Sequence, residues 1–306
     1  MPTKPFEPLL YRELRKIEAK EVIEIASPLL QEEVNYATNA FQRCQASSTG
    51  AKDEDLPLLV SYLHVIEMTD GIEGLVSQSC PIPAIPLLRS SFEALLTIDY
   101  ILEADYQRRV FAWLVCYVRE RLSEYEMFDH SHPRGKEFFA TLATDEASKY
   151  MKLPSFPNLA QAIQNLKSLL INNPNYQVAD SEYQSLKSRL RRKPNWYSLF
   201  GGPSNLRELA RYLSRGAQYD ILYRYWSRVT HADDLSRFLA KTDEGYLAIK
   251  PIRNPEELKN VSRIASTFIL DATRKMLGKF RAGELASFGR WYVREARKRH
   301  RALLID

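Results

Sequence analysis

Apolar residues recur three and four positions apart along most of this chain, broken by proline, asparagine and glycine, while the alternation of a half-buried strand is almost absent. That period predicts helices. The first covers about residues 8–41 and bends near Pro28, because proline removes a backbone donor and crowds the preceding turn. Others are predicted near 55–77, 83–103, 105–128, 136–150, 158–171 and 180–192, followed by the short helix LRELARYL with Ser204 as its N-cap. A further helix is predicted from about Gln218 to Ala240. PEELKNVSRIASTFILDATRKML carries Leu258, Val261, Phe268, Ala272 and Met276 on one stripe, and a basic helix closes the chain. GYLAIKPI reads as one short extended segment near 245–252. The expected fold class is all-α, a multi-helix bundle of about ten helices, divided into an N-terminal helical extension (1–50), a main helical domain (51–280) and a basic C-terminal helix (281–306).

Composition narrows the setting. With 45% hydrophobic and 26% charged residues over 306 positions, the chain falls in the range of water-soluble domains. Its densest apolar run, VFAWLVCYV from Val110 to Val118, is about half of the roughly 20 residues needed to span a bilayer, so no membrane is expected. The first residues, MPTKPFEPLLYRELRK, lack the apolar stretch of a secretory leader, and Cys44, Cys80 and Cys116, an odd number with no close pair, argue against a disulfide framework and a zinc ribbon. The expectation is a reduced, cytoplasmic protein.

Net charge of +5 conceals an asymmetry: residues 1–150 hold 15 Lys and Arg against 24 Asp and Glu, whereas residues 151–306 hold 28 against 14. The excess gathers in SLKSRLRRK (Ser185 to Lys193) and GRWYVREARKRHR (Gly289 to Arg301). Such clusters suit RNA or nucleotide phosphates bound through the C-terminal half, and equally suit a solvated face or cover for the acidic half.

Candidate chemistry lies in two stretches. In IPLLRSSFEALL, Arg89 and Glu93 stand four apart beside the apolar Leu88, Phe92 and Leu95, an ion pair flanking a packed face. In YDILYRYWSRVTHADD, Tyr219, Tyr223, Ser227 and His231 share one polar and aromatic face, with Asp220, Arg224 and Arg228 on the adjoining stripe. Arg224 and His231, seven apart, return to nearly the same face. There His231 would move a proton near neutral pH, and Arg224 would steady developing negative charge. Asp129, His130 and His132, broken by Pro133, read as a polar turn in preference to a metal site. No G-x-S-x-G elbow and no phosphate-cradling glycine loop occurs, and no cofactor or metal is implied.

LLRSSFEALL, Trp196 with GGPSN, and YDILYRYWSRVTHAD together resemble the bacterial all-helical family called domain of unknown function 5677, from about residue 60 to 280. The resemblance implies that Arg89, Glu93, Tyr223, Ser227 and His231 are that family's polar signature, and it carries no activity. Arg224, six residues and His231 are also similar to the motif of the HEPN superfamily. That resemblance implies metal-independent RNA cleavage through the ribose 2′-hydroxyl, in a homodimer, within toxin or anti-phage systems. The residues leave three readings open: a ribonuclease, a non-catalytic nucleotide or RNA binder, and a protein-interaction module whose polar stripe is a structural network.

Overall fold

A computed structural model of the chain describes residues 12–48, 53–224, 239–241, 245–250, 253 and 255–304. The helices are α1 (Arg12–Glu18), α2 (Lys20–Ser47), α3 (Leu56–Ser77), α4 (Pro81–Glu103), α5 (Tyr106–Phe128), α6 (Pro133–Thr144), α7 (Leu159–Asn172), α8 (Pro174–Leu190), α9 (Leu206–Tyr212), α10 (Gly216–Gln218) and α11 (Leu258–Phe280). A C-terminal arm of three short helical pieces follows, Leu285–Trp291, Tyr292–Ala296 and Arg297–Ala302. The class is all-α, with one small hairpin of β1 (Leu239–Lys241) and β2 (Leu247–Ile249). The chain forms two compact units, one of residues 1–100 with 210–306 and the other of residues 101–209.

In the first unit α2, α3 and α11 pack on one another. On α2 the buried positions 26, 29, 30, 33, 37, 40 and 44 recur at the helical period. The predicted α11 stripe is buried throughout. Each leucine, valine, phenylalanine or methionine so enclosed contributes roughly 1.5–3 kcal/mol. Phe92 of α4 stacks on Phe268 of α11 with centroids 5.8 Å apart. Tyr62, fully buried, donates to the Ala37 carbonyl at 3.1 Å and lies 2.9 Å from Thr273 Oγ1, tying the three helices with polar atoms inside an apolar core. In the second unit α5 is central, with α6, α7, α8 and the turn of helix Trp196–Gly201 against it. Arg119 of α5 forks onto both Asp180 oxygens of α8, Nε at 2.6 Å.

Several boundaries differ from the periodic reading. Helix α2 is continuous through Pro28, since the burial of Ala26, Leu29 and Leu30 on either side outweighs one missing donor, and a turn residue, Ala19, separates it from α1. Asn205, not Ser204, caps α9: its Oδ1 accepts the Glu208 N–H at 3.0 Å, while the Glu208 carboxylate accepts from the Ser204 N–H at 2.9 Å. The helix expected to reach Ala240 does not, since Leu239 and Ala240 pair with Ile249 and Ala248. Gly245, at φ +85°, occupies a backbone region open to glycine in the connection between the strands. The extended segment near 245–252 is present as β2. Its partner LAK was missed because three residues of good helix formers carry no alternation.

Candidate functional site

Segment α10 does not continue as a regular α-helix; from Tyr219 to Arg224 the hydrogen bonding widens to the π pattern. Such single wide turns cost packing and concentrate at functional positions. Within it Tyr219 and Tyr223 stack, centroids 4.8 Å apart and planes 15° from parallel, so the tyrosine face read from the sequence is real. That face meets α4. The Arg89 guanidinium lies 3.9 Å from the Tyr223 ring centroid, and its Nη2 donates to the Tyr223 hydroxyl. Arg89 Nε is 3.6 Å from Glu93 Oε1, with the Arg89 side chain 22% and the Glu93 side chain 46% exposed.

Arg89, Glu93 and Tyr223 therefore form one half-buried cluster open to solvent. Burial, then the neighbouring Glu93 carboxylate, holds the Tyr223 phenol above its ordinary range against the opposing pull of Arg89. At neutral pH the phenol keeps its proton. It is a hydrogen-bonding bridge between a cation and a carboxylate, not a base. An incoming oxyanion would find a guanidinium held in place by an aromatic ring, with Glu93 as its exchangeable partner.

Ser90 follows Arg89 on α4, and His64 of α3 reaches it, Nε2 to Oγ 2.6 Å. Neither residue was singled out from the sequence. A histidine inside the apolar run LLVSYLHVIEM was the available signal. The ionic anchor beneath the π turn was missed as well. Arg215, which precedes α10, donates through Nε to Asp99 Oδ2 at 2.5 Å and contacts Asp271, while Lys275 contacts Asp99 and lies 2.7 Å from Asp271 Oδ2. Arg215 also donates to Gln218 Oε1 at 2.8 Å. Two cations and two carboxylates, the Asp99 side chain only 9% exposed, thus fix the start of the tyrosine segment to α4 and α11. A carboxylate inside an apolar run, LLTIDYIL and TFILDAT, was the sequence signal for both acids.

Of the remaining sequence candidates, Arg224 is placed at the end of the π turn, and Ser227, Arg228 and His231 lie outside the described residues. The Asp129 region is a turn: Asp129 Oδ1 accepts from Ser131 N–H and Oγ at 2.8 and 2.7 Å, and His132 Nδ1 accepts the Arg134 N–H at 3.3 Å as the α6 cap. Ser131's hydrogen bonds hold the Asp129 carboxyl below its usual range. Among the described residues, no group of three or more His, Cys, Asp and Glu is placed to hold a metal ion, and no helix is long and apolar enough to cross a membrane.

A family model described as a family of unknown function, DUF5677, matches residues 55–246. The chain belongs to DUF5677. No curated protein and no solved structure matches it. The DUF5677 match takes in Arg89, Glu93, Tyr223, Ser227 and His231 and stops before α11, short of the residue-280 limit suggested by the sequence motifs. In this DUF5677 chain, the half of the ion-pair anchor formed by Asp271 and Lys275 lies beyond the matched region.

Proposed function

We propose that this chain acts on RNA or a nucleotide, as a metal-independent, HEPN-like ribonuclease of a cytoplasmic toxin or anti-phage system. In this reading His231 moves the proton, and Arg224 steadies the charge that develops on the phosphate as the ribose 2′-hydroxyl attacks. Arg89, Glu93, Tyr223, Ser227 and Arg228 orient the substrate. The basic C-terminal half, ending in the segment 281–306, holds the phosphate backbone, and a homodimer brings two motifs together. The observation that carries the reading is the meeting of Arg89 and Glu93 with Tyr223, on the segment that leads directly into Arg224.

A second reading draws support from the Arg215, Asp99, Asp271 and Lys275 anchor. A site tied down by so complete a polar network also suits an interaction module that binds nucleotide or protein without turnover. One experiment separates the two. Mixed RNA is incubated in EDTA with wild type, His231→Ala and the Arg224→Ala, His231→Ala double variant, and melting temperature is followed on the same samples. The ribonuclease reading expects cleavage by wild type alone with matching melts. Cleavage that survives in the double variant removes these two residues from the chemistry, and no cleavage with a lowered melting temperature in the variants moves the assignment to the interaction module.

A further inference from the structure

The second unit holds a cleft of about 410 Å³ unrelated to the residues above. Its floor is Phe111 of α5 and Ala179 of α8, both buried, with Phe111 edge-on to Tyr176 at 5.2 Å. One wall is Val178, 63% exposed despite being aliphatic. Phe200 also lines the cleft, with its backbone at φ +58°, a region that a bulky side chain rarely occupies. The Glu182 carboxylate accepts the Phe200 N–H at 3.1 Å and helps hold it there. Strain of this kind persists where the surroundings impose it, and here the strained residue is the one whose ring lines the cleft. Above that ring, 5.4 Å from its centroid, lies the Arg108 guanidinium. Arg108 is exposed, and its ion pair, Asp105 Oδ2 at 3.5 Å, is an exposed one worth little.

We propose that this cleft binds a compact aromatic oxyanion, a planar ring carrying one carboxylate or phosphate group. The apolar floor and Phe200 take the ring, and the guanidinium fork takes the anion by displacing Asp105. The volume falls in the range of small-molecule sites. An aliphatic acid would forfeit the stacking, and a bare anion would leave the exposed Val178 and the Phe200 ring uncovered. Because the site involves none of the residues assigned to RNA chemistry, its presence does not depend on that assignment.

The test is calorimetric titration of the full chain with benzoate and with phenyl phosphate, using cyclohexanecarboxylate and inorganic phosphate as controls. Saturable binding of at least one aryl probe is expected, with both controls at least tenfold weaker; preference between the two aryl probes tells which oxyanion the site takes. Arg108→Gln removes the charge and Val178→Glu places a carboxylate at the mouth, and each should weaken the preferred probe at least tenfold. Asp105→Asn removes the competing carboxylate at a position where asparagine tolerates the backbone, and should tighten it several-fold. All three positions are exposed, so melting curves close to wild type should accompany these changes. Failure of both aryl probes to saturate the wild type, or binding that Arg108→Gln and Val178→Glu leave unchanged, overturns the assignment.

Discussion

Glu33 is the residue most at odds with its surroundings. It stands on the core face of α2, 2% exposed, with Oε1 accepting from Ser266 Oγ at 2.7 Å and Oε2 without a hydrogen-bond partner among the described residues. Burial pushes its carboxyl up to about 8, against a smaller downward pull from Ser266. Between the usual 4.5 and about 8 the folded chain holds a proton that the unfolded chain has released. Its contribution is therefore fully present below 4.5 and fades as pH rises through about 8, a change on the order of a few kcal/mol. Urea unfolding at several values from pH 5 to 8.5 should show wild type losing stability relative to Glu33→Gln across that window. Parallel curves for the two proteins would mean that the carboxylate is solvated or paired by other means. Tyr292 feels this charge as well, held above its ordinary range first by burial and then by Glu33.

Two points show how neighbouring elements are held. Gly135, near the start of α6, has the Asp129 carbonyl so close that an added Cβ would stand 1.9 Å from the oxygen. Gly135→Ala should therefore cost about 1–3 kcal/mol in the second unit through backbone displacement, read as a lower urea midpoint. The other point is the Arg215 anchor. Arg215→Gln leaves Asp99 and Asp271 with Lys275 as their remaining shared cation in a half-buried setting, a loss of about 3–5 kcal/mol if fully buried and less here for solvent screening. The same variant should loosen the tyrosine segment, raising amide exchange at Tyr219 to Tyr223 more than within α2. Uniform exchange across both would show that the anchor does not position that segment.

At the scale of the molecule, the charge asymmetry is the property most open to test. Along the C-terminal arm Arg290, Arg294, Arg297, Lys298, Arg299 and Arg301 are exposed, against the acid Glu295, which pairs with Arg294. If this arm holds single-stranded RNA, each lost phosphate contact lowers the salt dependence by about 0.7 in the log–log slope. Replacing Arg297, Lys298 and Arg301 by glutamine should then flatten the slope by about 2 in filter-binding titrations across salt. An unchanged slope would place the polyanion surface elsewhere.

What the chain determined on its own is its helical character and much of its registry. The stripe of α11, the extents of α3, α4 and α5 and the polar turn at Asp129 all follow from local rules: a period that buries one face, a proline that starts a helix, a side chain that satisfies its own backbone. The pairing of Arg89 with Glu93 was legible for the same reason, since four residues of helix bring them together. Tertiary structure alone decided that Tyr223 crosses to Arg89, that His64 finds Ser90, and that Asp99, Arg215, Asp271 and Lys275 form one network. Apart from Asp271 and Lys275, which stand four apart on α11, these partners are 26 to 176 positions apart, and no local period encodes a contact between helices that meet only once the core has formed. Tertiary structure likewise carried α2 through Pro28 and turned Leu239 to Lys241 into a strand, because packing and cross-strand hydrogen bonds outweigh propensities of a fraction of a kcal/mol per residue.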